Sequence, residues 1–307
     1  MVAVALLSNP RSTGNRALLP RIRAYCCNRP DIFHYEVEDV DQIGAALAAI
    51  ALVRPRVIVI NGGDGSVQAT LTELHNGKHF PPGQVPPVAV LPNGKTNLIA
   101  LDLGASGDPL AALDHVVTLA RGQLNGHVVQ RELISLSSGG NAVPVLGMFL
   151  AGANLADTIL YCRHRLYPLG LPNGIAHVFA AIASILTMLP GFGGRFFPPR
   201  TRPVTVTVLR EGIISGRFTV LIVTTLEKLL FNAAAGDGRR VGRMKLLAVE
   251  HNLRAIGNML RVGLVGRLGA TSARGLHFEQ GDTIRLAGDR PSAIRAGAVF
   301  DARRGCP

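Results

Sequence analysis

Tryptophan is absent from this 307-residue chain, and aromatic residues together make up only 5% of it. Proteins that hold single-stranded nucleic acid stack bases on aromatic side chains set in a basic groove. Here the aromatics are sparse and the basic residues are scattered, so no nucleic-acid partner is expected. Cysteine is also scarce. Cys26 and Cys27 are adjacent, while Cys162 and Cys306 stand apart, and no Cys-x-x-Cys pair occurs. That excludes a disulfide framework and the usual zinc spacing, and it points to a reducing, cytoplasmic setting. The nine histidines form no His-Glu-x-x-His pattern.

Long apolar runs are missing too. The longest stretch, 175–192, contains His177 and is stopped by Pro190. It falls short of the ~20 residues that a membrane-spanning helix needs. A buried core helix is the expectation. The first residues, MVAVALLSNPRS, are too short an apolar run for a secretion signal and lack a basic head. Acidic residues are outnumbered, 20 against 32 basic, for a net charge of +12. Only four of the basic residues are lysines, Lys78, Lys95, Lys228 and Lys245. A balance of this sign favours polyanions such as phosphorylated small molecules or an anionic membrane surface.

Apolar residues, by contrast, are plentiful at 48%. The length suits two domains of ordinary size. In the first third, strand and helix signals alternate. Strand signals at 2–7, 34–39, 57–60 and 88–92, apolar in all but the second, are separated by helical patterns near 18–27, 43–52, 67–76 and 109–119. Unbroken apolar strands in such an alternation predict a mostly parallel, doubly wound sheet. Beyond Gly126 the pattern becomes β-rich, with a predicted antiparallel hairpin over 204–225. Further strands are expected near 244–251, 282–288 and 293–301, and one amphipathic helix over 255–268. The expected division is 1–126, an α/β nucleotide-binding domain, and 127–307, a β-rich, sandwich-like antiparallel substrate domain.

Three polar turns follow three of the strands. The densest is VIVINGGDGS, 57–66, where Gly62, Gly63 and Gly65 surround Asp64 and lead through Ser66 into a helix. Glycines let backbone N–H groups approach an anion, and a helix N-terminus adds partial positive charge. A lone carboxylate there would hold Mg²⁺ or take a proton from an attacking hydroxyl. Taken alone, the motif fits equally well a turn whose aspartate caps the next helix. A second turn, Pro92-Asn93-Gly94-Lys95-Thr96-Asn97, repeats the arrangement after another apolar strand. A third, Ser8-Asn9-Pro10-Arg11-Ser12-Thr13-Gly14-Asn15, follows the first strand. Turns of one character at neighbouring strand ends are suited to gripping a triphosphate.

In order and spacing these motifs resemble those of the diacylglycerol and sphingosine kinase family of lipid kinases in its bacterial single-chain form. The family carries Asn-Pro-x-Ser-Gly, Gly-Gly-Asp-Gly-Thr and Pro-x-Gly-Thr-x-Asn-Asp. NAD kinases share the glycine–aspartate loop but not the second loop in this form. The resemblance implies ATP bound mainly by the first domain with Mg²⁺. Asn9, Pro10, Ser12, Gly62, Gly63, Asp64, Gly65, Ser66, Gly94, Lys95, Thr96 and Asn97 would line the nucleotide site. Asp64 would be the catalytic and metal-binding carboxylate, and the β-rich domain would hold the lipid acceptor. Departures from the family pattern are definite. Lys95 stands where the family has threonine, and Leu98 where it has an aspartate of a hydrated metal network, of which Glu132 is a candidate replacement member. Ala296 and Ala298 stand where it has a late Asp-Gly-Glu, with Asp289 nearby as a displaced base. Val241-Gly242 replaces an earlier Asp-Gly, to which Asp237-Gly238 is a shifted equivalent. These losses open a second expectation, a relative that binds nucleotide or lipid without transfer. A third is a kinase acting on NAD.

A lipid acceptor implies peripheral contact with the inner face of a membrane. Segment 194–203, GRFFPPRTRP, and the side of the late helix bearing Arg254, Arg261 and Arg267 are the candidate contacts.

Overall fold

The structure is a computed structural model that describes residues 2–137, 143–166, 173–188, 197–199, 201–208, 212–227, 244–264, 273–287, 292–295 and 298–301. The chain divides into two compact units, Met1–Met148 and Phe149–Pro307.

In the first unit, strands β1 (Val4–Ser8), β2 (Ile32–Glu36), β3 (Val57–Asn61) and β4 (Val88–Val90) form one sheet in the order β2-β1-β3-β4. Every pairing is parallel. β1 and β3 are central, and all five residues of each are buried. Their unbroken apolar runs follow from this, because both faces of the sheet are covered. Val4, Leu6, Val57 and Val59 face one way, against Ile22 and Cys26 of α1 (Asn15–Cys27) and Leu113 and Val117 of α5 (Pro109–Arg121). Ala5, Leu7 and Ile58 face the other way, against Ala46, Leu47 and Ile50 of α2 (Ile43–Val53). Each fully buried Leu, Ile or Val contributes about 1.5–3 kcal/mol relative to exposure. The strand period of two therefore holds the register firmly.

Helix starts follow local chemistry. Before α2, Asp39 and Gln42 form a reciprocal capping box around a short 3₁₀ turn, Val40–Gln42. Before α5, Asp108 accepts the Ala111 N–H and Pro109 opens the helix. Two further helices leave the glycine turns: α3 (Asp64–Asn76) and the short α4 (Leu98–Asp102). The hairpin β5 (Ile134–Leu136) and β6 (Val145–Gly147) lies beyond the predicted join near 126. It docks on α3, where Thr72 Oγ1 both accepts the Leu146 N–H and donates to the Leu146 carbonyl, at 3.0 and 3.1 Å. Asn76 Nδ2 adds a bond to the Pro144 carbonyl at 2.9 Å. These bonds tie the hairpin to the first unit.

The second unit is an antiparallel sheet. Strands β7 (Phe149–Gly152), β8 (Pro203–Val208), β9 (Gly212–Thr224), β10 (Met244–Glu250), β11 (Leu276–Gly281), β12 (Ile284–Ala287), β13 (Ser292–Arg295) and β14 (Ala298–Asp301) make it up. The main path runs β11-β10-β9-β7-β13-β14, and β8 joins β12 to β9. The predicted hairpin is β8–β9, in antiparallel register. Helices α6 (Asn154–Tyr161) and α7 (Asn173–Leu186) pair beside the sheet, and α8 (Leu253–Leu264) crosses from β10 to β11. The run around 175–192 is thus helical up to Leu186, but it is not wholly buried. Ala180 is inaccessible, whereas Phe179 and Ile182 are about half exposed, at 54% and 49%. No helix among the described residues is long and apolar enough to cross a membrane. Asp237, Gly238, Val241, Gly242, Asp289, Ala296, Gly297, Arg267 and 194–196 lie outside the described residues, and Ala298 opens β14.

Candidate functional site

The parallel register brings three turns to one sheet edge. Ser8 pairs with Asn61, and Ile60 with Val90, so β1, β3 and β4 end side by side. Asn9 N–H donates to the Asn61 carbonyl at 2.9 Å. The sheet thus assembles all three sequence-predicted turns at one place, the carboxyl ends of the strands, where open α/β sheets bind their ligands.

Beneath the turns lies a lock of buried asparagines. Asn93 Nδ2 donates to Asn61 Oδ1 at 2.7 Å and also to Asn15 Oδ1. Asn15 Nδ2 donates to the carbonyls of Asn9 at 2.7 Å and Asn61 at 3.1 Å. Asn61 Nδ2 donates to Ser8 Oγ at 2.9 Å, and His34 Nε2 lies 2.8 Å from that same oxygen. Burial pushes the His34 imidazole below its ordinary range, so the neutral ring ends this chain of bonds. Asn15, Asn61 and Asn93 are each at most 4% exposed, and one comes from each turn. A methyl on Gly14 would sit 1.9 Å from Asn93 Oδ1, which is why the turn after β1 needs glycine there. Ser12 belongs to the same lock: its buried hydroxyl donates to the Asn93 carbonyl at 3.0 Å.

Above the lock, the turn of Gly63 and the turn of Gly94 touch backbone to backbone. A Cβ on Gly94 would meet the Gly63 Cα at 2.6 Å and Asn97 Oδ1 at 3.0 Å. Asn97 adopts a left-handed conformation (φ 54°), which asparagine tolerates, and its Oδ1 accepts the Gly94 N–H at 2.6 Å. Gly94 therefore gives its N–H to its own turn. Ser66 and Val67 N–H groups bond back to the Gly63 carbonyl. The N–H groups of Asp64 and Gly65, at the first turn of α3, have no acceptor within the helix. Ser66 Oγ accepts from Asn9 Nδ2 at 2.9 Å, which leaves the serine proton to donate elsewhere. Asn9 Oδ1 accepts the Arg11 N–H at 2.9 Å and shapes the Asn-Pro turn around Pro10.

Asp64 sits in the first turn of α3 but serves a different helix. The cap position of α3 is Gly63, without a side-chain bond. The Asp64 carboxylate reaches to the start of α4, where Oδ2 accepts from Thr96 Oγ1 at 2.9 Å and Leu98 N–H at 3.2 Å. Oδ1 accepts from Ile99 N–H at 3.1 Å. An ionised carboxylate has about four acceptor positions. Three are taken, and one on Oδ1 remains. Asp64 is the one carboxylate that the three turns bring together, and among the described residues no three His, Cys, Asp or Glu side chains cluster to hold a metal. Lys95 and Thr96 are exposed on the rim. Glu132 lies on exposed chain before β5, and Asp102, buried at the end of α4, faces Arg131 at 3.5 Å.

The residues that sequence reasoning passed over are Ser8, Asn15, His34, Asn61 and Asn93 in their shared role. The available signal was polar residues closing otherwise apolar strands, Ser8 after VALL and Asn61 after VIVI.

Residues 3–125 match the family model of the diacylglycerol kinase catalytic domain. With the parallel fold and the Gly-Gly-Asp-Gly turn at its strand ends, the first unit is a kinase-type catalytic domain. The match to this family model implies ATP as phosphoryl donor. Solved structures from Bacillus anthracis strain Sterne resemble the whole chain in fold. One, a candidate diacylglycerol kinase, superposes with a TM-score of 0.60 at 14% identity, covering 96% of this chain and 89% of its own. Another, described as a diacylglycerol kinase, gives 0.57 at 13%, covering 97% and 90%. No curated protein matches the sequence.

Proposed function

We propose that this protein is an ATP-dependent lipid kinase that transfers the γ-phosphoryl group to a hydroxyl of a diacylglycerol-like or sphingoid lipid. The observation that carries this reading is the Asp64 carboxylate, fixed across two glycine turns with one acceptor position left open. Phosphoryl transfer depends mainly on positioning and charge neutralisation. The first N–H groups of α3, the Ser66 hydroxyl and the rim cation Lys95 are the groups suited to hold a triphosphate. Mg²⁺ fits this site in the manner usual for phosphate chemistry, through one carboxylate, here Asp64, plus phosphate oxygens and water. Bound there, it would neutralise charge on the transferring group. With a single free position, Asp64 serves either that ion or the acceptor hydroxyl at any moment.

The test is transfer of labelled phosphate from ATP to a mixed lipid extract, with product identification by mass spectrometry and Asp64→Ala as control. Label in a lipid product, lost in the variant, supports the reading. A second reading, a member that binds without transfer, is favoured by Leu98, an apolar residue at a family carboxylate position. A nucleotide-dependent thermal shift with no labelled product would select it. Labelled product from NAD instead of lipid would select a small-molecule kinase.

A further inference from the structure

The helix α8 carries two apolar stripes on opposite sides. Its inner stripe, Ala255, Met259 and Val262, packs on one face of the sheet against Val220, Ile222, Leu247, Val249, Leu276 and Phe278. That packing accounts for the helix as a structural element. It does not account for Leu253 and Leu260, seven residues and two turns apart, which are 54% and 57% exposed. Gly257 lies between them on the same side, and a Cβ built there meets no atom within 4 Å. Beside this outer stripe, Arg254 and Arg261 repeat the same seven-residue spacing, and both are exposed. The helix has no acidic residue along its whole length. The nearest carboxylate in sequence, Glu250, is engaged by Asn252 Nδ2 at 2.9 Å and by His277 Nε2 at 3.1 Å.

We infer that the outer face of α8 is a docking surface for an anionic lipid bilayer, with Leu253 and Leu260 entering the interface and Arg254 and Arg261 pairing with phosphate headgroups beside them. The arrangement is that of an interfacial helix lying flat: apolar side chains point down, and arginines at the flank keep their charged ends at headgroup depth. Gly257 presents no side chain between the leucines, so the stripe is flat rather than ridged. Charge complementarity selects a membrane over a second copy of the chain. A twofold contact between two α8 helices would set Arg254 and Arg261 of one copy against the same residues of the other, with no acidic group on either helix to pair them. The net charge of +12 adds long-range attraction to an anionic surface. Of the arginines marked for this role in the sequence, Arg254 and Arg261 share the outer side, and Arg267 lies outside the described residues.

The inference rests on the lipid-kinase reading for its purpose, but its test reads binding alone. The full-length protein is sedimented with vesicles of phosphatidylcholine alone and of phosphatidylcholine with phosphatidylglycerol, over a series of salt concentrations. Binding is expected only with the anionic lipid and should weaken with salt. Arg254→Gln with Arg261→Gln is expected to weaken it on the order of 30-fold. Leu253→Gln with Leu260→Gln is expected to weaken it about tenfold or more. Both pairs are exposed, so their thermal unfolding should match the parent and separate lost docking from lost folding. Equal binding to neutral vesicles, or undiminished binding by either double variant, overturns the inference. So does a dimer in solution that the leucine variant dissolves, because the stripe would then be covered by a second copy. Transfer to a short-chain, water-soluble acceptor distinguishes the two proposals. Vesicle binding without any transfer leaves the docking surface standing and removes the kinase reading. Transfer without vesicle binding does the reverse.

Discussion

Gly63 and Gly94 lie so close across the two glycine turns that a methyl on Gly94 would come within 2.6 Å of the Gly63 Cα. The relationship is not symmetric. A methyl on Gly63 would meet nothing nearer than 3.7 Å, and Gly63 has an ordinary extended backbone that any residue adopts (φ −84°, ψ 174°). Gly94→Ala is therefore expected to separate the turns and lower stability by about 1–3 kcal/mol. Gly63→Ala should unfold near the parent temperature yet weaken nucleotide binding, because its methyl occupies the start of α3. Thermal unfolding with and without ATP distinguishes the two. Equal loss of stability in both would refute the asymmetry.

Asp64 has a structural task that can be separated from the chemical one proposed for it. Asp64→Ala leaves the Leu98 and Ile99 N–H groups without their acceptor. A loss of about 1–2 kcal/mol is expected, as for other helix caps. Asp64→Asn keeps one acceptor oxygen and should cost less, while still reducing transfer by roughly 10²–10⁴-fold. Denaturant unfolding and initial-rate measurements check the pair. An Asn variant with parental rate would remove Asp64 from the chemistry and leave it only the capping role.

The asparagine lock should behave as one unit. Asn93→Ala removes the donor to both Asn61 and Asn15 and leaves buried oxygens unsatisfied. A loss of about 2–3 kcal/mol is expected. A double-mutant cycle with Asn61→Ala should show coupling of about 0.5–3 kcal/mol. Strict additivity would mean that the turns are held independently.

Stability should also fall in mildly acidic solution. Burial lowers the pKa of His34, and burial with nearby Arg217 lowers that of His251, both from 6.5. In each case the unfolded chain binds the proton more readily, so stability is greatest above 6.5 and declines as pH drops through and below that value. Glu36 and Asp31 have pKa values lowered by hydrogen bonds from Arg23 and Arg121, so their contribution is lost only at lower pH, below 4.5 and 3.8 respectively. Thermal unfolding at about pH 7.5 and about pH 5.5 should differ by several degrees. His34→Gln should flatten part of that difference. An unchanged slope would show that the His34 ring is not held neutral by the fold.

Much of the first unit was legible because its signals are short-ranged. The apolar runs of β1 and β3, the helical spacing of α2 and α5, and the glycines after β3 and β4 each report on a handful of neighbouring residues. Helix starts were less legible. The periodicity of α3 begins at Val67, yet the helix begins at Asp64, because its first turn is polar and faces the strand-end site rather than the core. The short strands β5, β6 and β7 escaped notice because three or four residues carry almost no periodicity. The run around 175–186 read as a core helix from composition alone, and composition does not say which side meets water.

By itself the sequence determined the class of each unit, the chain positions of the three polar turns, and the placing of Asp64 among glycines. All of these depend on residues adjacent in the chain. Only the tertiary structure decided what Asp64 touches. Its partners at Thr96, Leu98 and Ile99 are more than thirty residues away, and they become neighbours only because β4 pairs beside β3 in a parallel sheet. The same holds for Asn15, Asn61 and Asn93, which come together because β3 lies between β1 and β4. Nothing in the local spacing of three asparagines states that they share one buried set of hydrogen bonds. Strand order is settled by the packing of whole faces, a non-local quantity, and the site inherits its geometry from that order.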